Sequence, residues 1–263
     1  MIPELSAGVL SRWAGFWVGL AFSLCLFLCG CGGASLEAIS GRTMGTAYSI
    51  KWAGVSGVER EKVQNRVEED LKAFDLELSN WNRESWVSQF NAGPEHRPSA
   101  MPAHVREVLV LCSELHRQTG GAFDVTVPPL LELWGFGVNS KKEVPDDGAI
   151  TQALSLVGFE KIKLDLKMGT LEKLAAGVAI NCSALAKGYG VDLIGEILER
   201  EFGLHHYMVE IGGEVRARGN HPEHAGWNLG ISRPESDATS SEFLGAIQLQ
   251  DQSMATSGDY QNF

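Results

Sequence analysis

The fold prediction depends on one stretch, Ala179-Ile180-Asn181-Cys182-Ser183-Ala184-Leu185-Ala186-Lys187-Gly188-Tyr189-Gly190. The short apolar run from Val178 to Ile180 predicts the end of a buried strand. Asn181 and Ser183 are residue types that begin helices, and the periodic segment from Ala184 to Phe202 predicts the helix itself. A strand that leads directly into a helix leaves free backbone N–H groups and the positive end of the helix dipole at the helix start.

Lys187 lies one turn into this predicted helix and adds a full positive charge. Gly188 and Gly190 keep side chains out of the way of a ligand. Together these features predict an anion site of the kind that holds a phosphate. A second interpretation stays open, because many α/β proteins contain the same strand–helix unit and bind nothing with it.

Hydrophobic periodicity in the rest of the chain predicts a single α+β domain. Alternating apolar residues predict strands, and apolar residues three or four positions apart predict helices. The predicted strands span residues 41–52, 161–166, 170–174, 207–211, 215–218, 227–231 and 243–249. The predicted helices span residues 57–78, 101–118, 147–157 and 184–202.

Residues 79–91 combine Asn and Ser with three aromatic side chains, Trp81, Trp86 and Phe90. A polar loop with aromatic residues suits a planar ring, since aromatic faces stack on the ring and amides hydrogen-bond its edge. The alternative is a capped turn whose aromatic side chains only cover the core. Asp124, between apolar neighbours, is predicted to be partly buried, so it either fixes the preceding Gly-Gly turn or faces a ligand.

The cysteines and histidines do not predict a metal site. Cys112 and Cys182 are predicted to be two separate buried thiols, although an oxidising compartment would allow them to pair. The histidines at 205–206 and 221–224 lack cysteine or carboxylate partners at zinc-binding spacing. The sequence also lacks G-x-S-x-G, Walker and G-x-G-x-x-G motifs, so none of those sites is predicted.

The N-terminal residues have the pattern of a lipoprotein signal peptide. Arg12 precedes an uncharged apolar run from Trp13 to Leu28, which is short for a membrane span and typical of a signal peptide. The residues around Cys31 resemble a bacterial lipobox, which makes Cys31 the predicted lipidation site. An uncleaved membrane anchor is the alternative, and both interpretations predict export. The predicted organisation is a signal peptide at 1–30, a tether at 31–40 and a domain at 41–263.

The net charge of −11, without any basic run, disfavours nucleic acid as a partner. It also disfavours electrostatic binding to anionic lipid. Removal of residues 1–30 leaves this charge unchanged, because the segment contains one acidic and one basic residue.

Six motifs stand in a characteristic order: Gly41-Arg42-Thr43-Met44-Gly45-Thr46, Leu78-Ser79 through Phe90-Asn91, Gly120 through Thr126, Ala184 through Tyr189, Ile211 through Glu214, and Ala255 through Tyr260. Taken together, they resemble the motifs of the FAD:protein FMN transferases, the ApbE family. The resemblance extends from residue 41 to the end of the sequence.

The resemblance implies an α+β fold in which helices flank a mixed or antiparallel sheet and FAD binds in a cleft. It implies a Mg²⁺-dependent transferase that moves FMN from FAD to a Thr or Ser of a partner protein and releases AMP. Family members are exported and often lipid-anchored, which implies attachment to a bacterial membrane through Cys31, facing the periplasm. Two alternatives stay open: an FAD pyrophosphatase that yields FMN and AMP, and a non-catalytic exported FAD-binding lipoprotein.

The resemblance also implies roles for individual residues. FAD contacts are implied for Met44, Trp81, Ala122, Phe123, Asp124, Asn181 and Lys187. Met44 and Trp81 would pack on the flavin or the adenine. Lys187 would act on the charged oxygens as the catalytic residue, and the Ala184 main-chain carbonyl would bind Mg²⁺.

The sequence departs from the family pattern at two places. Asn181 stands where the family commonly has Asp, which removes a negative charge beside metal and cofactor but keeps a hydrogen-bonding amide. Family members continue past the motif that ends at Tyr260 into a segment whose Asp and Thr complete the Mg²⁺ site, whereas this sequence ends at Phe263. The resemblance therefore implies a truncated domain that holds Mg²⁺ poorly and binds FAD better than metal.

Overall fold

The computed structural model describes residues 35–137, 144–233 and 243–257. The chain divides into two units, Met1–Ser35 and Leu36–Phe263, and the fold described here is that of the second unit. The predicted signal peptide, the lipidation site Cys31 and the end of the last motif lie outside the described residues. Within the described ranges, no helix combines the length and the apolar character needed to cross a bilayer.

The described residues contain helices and strands in mixed order. The helices are α1 (Arg60–Leu78), α2 (Trp86–Ala92), α3 (Ala103–Gln118), α4 (Pro128–Leu133), α5 (Asp147–Leu154) and α6 (Ser183–Phe202). The first five strands are β1 (Leu36–Thr43), β2 (Thr46–Ala53), β3 (Ser99–Ala100), β4 (Ile162–Asp165) and β5 (Thr170–Lys173). The others are β6 (Tyr207–Ile211), β7 (Glu214–Arg218), β8 (Trp227–Ser232), β9 (Phe243–Leu249) and β10 (Gln252–Met254).

The main sheet has five strands in the order β1-β2-β6-β7-β10, and every neighbouring pair is antiparallel. Alternate residues of β2 (Tyr48, Ile50 and Trp52) are buried, as the period-two pattern predicts. Helices α1 and α6 pack against these residues in the first core cluster. Gly195 permits the close approach of α6, because a Cβ there would lie 2.6 Å from Tyr207 Oη. The predicted α+β class with an antiparallel sheet is confirmed.

The N-terminal strand differs from its prediction in two respects. Residues 36–40, predicted as part of a tether, form the first half of β1. The single strand predicted at 41–52 is a hairpin whose turn is Met44-Gly45, with φ values of 47° and 73°. Left-handed turns of this kind usually carry Asn or Gly at the first position, so Met44 concealed the turn.

The segment predicted as a loop at 79–91 contains a short helix, α2. Ser85 caps this helix, since its Oγ accepts a hydrogen bond from Ser88 N at 3.0 Å. Val87 and Phe90 are buried in a second core cluster, and Trp86 stacks on Phe90 with ring centroids 5.1 Å apart. Two of the three aromatic side chains of this segment therefore cover the core, which was the alternative interpretation.

The second core cluster lies around α3, with contributions from α1, α2, β5 and the segment before α6. Cys112 and Cys182 belong to it, and both are free and buried, as predicted. The hydrogen bond that the Cys182 thiol donates to Cys112 raises the pKa of Cys182, and burial raises it further. The two thiols are thus direct neighbours at the junction of α3 and α6.

Strands β8 and β9 form a separate two-stranded sheet. Trp227 and Leu249 anchor it in a third cluster with Met208, Val215 and Ala217. The histidines at 221–224 lie just before β8, and the described residues contain no group of three or more His, Cys, Asp or Glu side chains that could hold a metal ion.

A polar network ties α6 to the main sheet through Glu199. Its Oε1 accepts hydrogen bonds from Tyr207 Oη at 2.6 Å and from Arg216 Nη2 at 3.3 Å, and its Oε2 accepts one from Arg218. Burial raises the pKa of Glu199. The hydrogen bonds from Tyr207 and Arg218, together with the charges of Arg218 and Arg216, lower it by more, so the net shift of the pKa is downward.

We expect Glu199→Gln to lower the free energy of unfolding at pH 7 by about 1.5–3 kcal/mol, because charged hydrogen bonds are lost. A carboxyl with a depressed folded pKa stabilises the fold above its unfolded pKa, and that contribution disappears as pH falls through the folded pKa. The difference in the free energy of unfolding between wild type and variant should therefore become smaller below about pH 4. Thermal melts from pH 3 to 7 measure this difference in stability. Glu196→Gln is the control, because Glu196 forms an exposed ion pair with Arg200 on the same helix. A difference that grows at low pH would contradict this assignment.

Candidate functional site

A cavity of about 400 Å³ lies where the end of α1, the β1–β2 turn and the start of α6 meet. Phe74 and Leu78 contribute apolar surface, and Trp81 is exposed over 65% of its area. The cavity is lined by Met44, Gly45, Phe74, Asp75, Leu78, Ser79, Asn80, Trp81, Ser183, Ala186 and Lys187. An exposed aromatic ring and a lysine at a helix start are thus brought to one cavity.

A second cavity of about 670 Å³ adjoins the first and shares Met44, Gly45 and Asp75 with it. Its wall carries charges of both signs, from Arg42 and Lys72 and from three carboxylates, one of them Asp75. The two cavities together offer apolar, aromatic and charged surface, which suits a large ligand with several polar groups.

Met44 lies at the junction of the two cavities. Its side chain packs against both the first and the second core cluster. A Cβ on Gly190 would lie 3.1 Å from Met44 Cε and 3.3 Å from Ile211 Cδ1. The expectation that Gly190 leaves room for a ligand is therefore wrong, because Met44 and Ile211 occupy that space. A Cβ on Gly188 would meet nothing within 4 Å, so Gly188 does leave open space.

Lys187 is tied to the turn between β6 and β7. Its Nζ lies 2.8 Å from Glu214 Oε2 and donates a hydrogen bond to Gly212 O at 3.3 Å. The Glu214 side chain is only 15% exposed, against 36% for Lys187. The lysine charge is thus held in a fixed place on the cavity wall, and its carboxylate partner was not predicted from the sequence.

The segment before α6 is buried but is not a strand. Ile180 N donates to Asn91 Oδ1 at 2.8 Å, and Ile180 O accepts from Asn91 Nδ2 at 2.9 Å. Ile180 O also accepts from Asn80 Nδ2 at 2.9 Å. Side-chain amides satisfy the buried main chain that a neighbouring strand would otherwise satisfy, which explains why the predicted strand is absent here.

Asn181 fixes the start of α6. Its main-chain N–H donates to Val125 O at 2.8 Å, and its Oδ1 accepts from Ser183 N at 2.8 Å. The N-cap position itself belongs to Cys182, which makes no side-chain cap hydrogen bond. Asn181 lines neither of the two cavities, so its contact with FAD stays a prediction.

Asp124 contacts Thr126, two residues further along the chain, and His116 near the end of α3. Its Oδ1 accepts hydrogen bonds from Thr126 N at 2.8 Å and Thr126 Oγ1 at 2.6 Å, and its Oδ2 lies 3.5 Å from His116 Nδ1. The side chain is 12% exposed, as predicted for a partly buried carboxylate. Ala122, Phe123 and Asp124 line neither cavity. They lie beside the start of α6 through the Asn181–Val125 hydrogen bond, and their FAD contacts stay predictions.

The fold and these motifs have clear relatives among known proteins. The sequence profile of the ApbE family matches residues 44–263. The chain belongs to the ApbE family. It is 34% identical over 247 residues to the FAD:protein FMN transferase of Vibrio cholerae serotype O1, covering 93% of this chain and 72% of the relative. It is 36% identical over 228 residues to that of Haemophilus influenzae, covering 84% and 65%.

Solved ApbE structures agree with the fold. The flavin transferase ApbE from Vibrio cholerae superimposes with a TM-score of 0.77 at 33% identity, over 88% of this chain and 74% of that one. The flavinyl transferase ApbE of Pseudomonas stutzeri gives a TM-score of 0.76 at 33% identity, over 88% and 73%. The chain thus spans roughly two thirds to three quarters of the lengths of these relatives.

The ApbE resemblance also implied Mg²⁺ with the Ala184 carbonyl as a ligand. Ala184 is exposed on the first turn of α6. The described residues offer no cluster of three or more His, Cys, Asp or Glu side chains around it or elsewhere. Because Mg²⁺ requires an octahedral set of oxygen ligands, these residues alone do not fit the ion, and no chemical step is assigned to it.

The predictions from sequence missed three residues that fix the surroundings of the candidate site. Asn80 and Asn91 hold Ile180, and Glu214 holds Lys187. The two asparagines lie 100 and 89 residues from their partner, so no local pattern connects them. Glu214 stood within a recognised motif, but a carboxylate in a Gly-Gly turn does not by itself predict a lysine partner.

Proposed function

We propose that this chain transfers the FMN part of FAD to a Thr or Ser hydroxyl of a partner protein and releases AMP. The observation that carries the proposal is the cavity that brings exposed Trp81 to Lys187 at the start of α6. The aromatic face supports a planar ring, and the lysine and helix N-terminus support a negatively charged phosphate. The names of the relatives agree with this reaction.

The reaction follows from these parts. The acceptor hydroxyl oxygen forms a bond to the phosphorus of the FMN half, and the bond from that phosphorus to the AMP oxygen breaks. The hydroxyl proton is released, and the electron pair of the broken bond leaves with AMP. Catalysis here consists of alignment and stabilisation of charge on the phosphate oxygens, which the Lys187 ammonium and the positive end of the α6 dipole supply.

The proposal includes cofactor and location. Mg²⁺ is proposed from the family resemblance alone, which implies the Ala184 main-chain carbonyl as one ligand; the described residues do not complete its coordination. Export and attachment to a bacterial membrane through a lipid on Cys31, facing the periplasm, complete the proposal. Labelling of cells with a clickable fatty acid tests the anchor, and a Cys31→Ser chain that labels as strongly as the wild type contradicts it.

One assay tests the function. The chain is incubated with FAD, Mg²⁺ and an acceptor protein that carries a Thr flavinylation site, with an EDTA arm in parallel. AMP release and in-gel flavin fluorescence of the acceptor are measured. AMP with a fluorescent acceptor supports the transferase, and AMP with free FMN indicates a pyrophosphatase instead. Bound FAD without AMP indicates a binding protein, and failure to bind FAD overturns the proposal.

A further inference from the structure

Asn91 forms two hydrogen bonds with the main chain of a single distant residue. Its Oδ1 accepts from Ile180 N at 2.8 Å, and its Nδ2 donates to Ile180 O at 2.9 Å. Ile180 is fully buried, so these groups have no access to water. The side-chain amide therefore acts as a peptide group of a neighbouring strand would act, with one donor and one acceptor.

The main chain of Asn91 is held in place by Lys173. Lys173 Nζ donates to Asn91 O at 2.8 Å and to Gly93 O at 2.5 Å, which satisfies the last carbonyls of α2. Lys173 is only 4% exposed, and its Nζ lies 5.6 Å from the centroid of the Phe90 ring. A buried lysine placed on these carbonyls holds the end of α2 in one place relative to β5.

The Ile180 carbonyl connects the two walls of the smaller cavity. It accepts from Asn91 and also from Asn80 Nδ2 at 2.9 Å, and Asn80 and Trp81 line that cavity on one side. Three residues after Ile180, α6 begins and contributes Ser183 and Lys187 to the other side. The distance between the aromatic wall and the lysine wall is therefore set at Ile180.

We infer that Asn91 is a positioning residue, which fixes the spacing between Trp81 and Lys187 and thereby the affinity for FAD. Asn91 itself lines neither cavity, so it acts through Ile180 and not by contact with the ligand. The inference rests on the proposed function, because the spacing matters only if one ligand contacts both walls.

The test compares Asn91→Ala with a core variant of the same helix. Val87→Ala is the matched control, because Val87 is fully buried in α2 and in the same core cluster, and only packing is lost there. The Kd for FAD is measured by fluorescence quenching, at a temperature where circular dichroism shows each full-length variant to be folded. We expect the Kd of Asn91→Ala to rise at least about 10-fold, and that of Val87→Ala to stay within about twofold of wild type.

Equal Kd changes in the two variants, or an unchanged Kd in Asn91→Ala, overturn the inference. If Asn91→Ala does not fold, Asn91→Asp takes its place with the same expectation. Asp keeps the volume and the acceptor for Ile180 N, but its second carboxylate oxygen faces the carbonyl oxygen of Ile180. If the wild type binds no FAD, the proposed function and the inference are both overturned. If the wild type binds FAD and Asn91→Asp binds it equally tightly, only the inference is overturned. Asn228→Ala, on the exposed face of β8, controls for loss of an asparagine.

Discussion

Replacement of Lys187 by Met is expected to lower the rate of AMP release from FAD by about 100- to 1,000-fold. Lys187 lines the cavity at the start of α6, and the proposed transfer requires a positive charge there to stabilise the phosphate oxygens. Met has a similar length and removes only the charge and its hydrogen bonds. AMP release measured by chromatography, at saturating FAD, reports this loss.

The same substitution leaves Glu214 without its ion-pair partner in a position only 15% exposed, so some stability is lost as well. The double variant Lys187→Met with Glu214→Gln separates the two effects. It should recover stability, because no unpaired buried charge remains, but not AMP release. Lys163→Met is the matched control, since Lys163 is 63% exposed and lies 3.9 Å from the similarly buried carboxylate of Glu172. AMP release at the wild-type rate in Lys187→Met would contradict the catalytic assignment.

Trp52→Ala and Trp81→Ala are expected to affect different properties, stability in the first case and FAD binding in the second. Trp52 is 1% exposed in β2 and packs in the first core cluster, so its loss should lower the free energy of unfolding by about 3–5 kcal/mol. Trp81 is 65% exposed, so Trp81→Ala should change stability little. It should instead weaken FAD binding by about 1–3 kcal/mol, the usual contribution of a stacked ring.

Urea unfolding and FAD titration of both variants measure this pair of effects. Trp52→Phe refines the first, because among the described residues no group accepts a hydrogen bond from Trp52 Nε1. Phe keeps much of the apolar surface and loses no hydrogen bond, so it should be less destabilising than Ala by at least about 1 kcal/mol. A Trp81→Ala chain that unfolds earlier but binds FAD normally would assign Trp81 to the core instead.

The sequence predicts those parts of the fold in which a long element has one buried face. The apolar residues of α1 recur at helical spacing, and the turn at 212–214 between two short strands predicts the β6–β7 hairpin, so the helix and the hairpin stand where expected. Helix α2 was missed because seven residues show too little periodicity. The β1–β2 turn was missed because Met44 adopts a left-handed conformation that a sequence pattern assigns to Gly or Asn.

The site was predictable to a smaller extent. Lys187 follows from the helix start, and the family resemblance supplied Met44 and Trp81, which do line the same cavity. The hydrogen bonds from Asn80 and Asn91 to Ile180 could not be predicted, because a hydrogen bond between a side chain and a distant main-chain group produces no periodic pattern in the sequence. The assignment of a strand before α6 failed for the same reason, since burial alone does not reveal which groups supply the hydrogen bonds.

The separate β8–β9 sheet has a consequence for how the molecule opens. Among the described residues these two strands pair only with each other, and apart from Trp227 and Leu249 most of their residues face water. A two-stranded sheet is marginally stable by itself, so local opening here requires less free energy than unfolding of the five-stranded sheet. Amide hydrogens that join β8 to β9 should therefore exchange with deuterium through this local opening, and those between β2 and β6 only through global unfolding. Substitutions that weaken the main core should consequently speed exchange in β6 while leaving the rate in β8 unchanged.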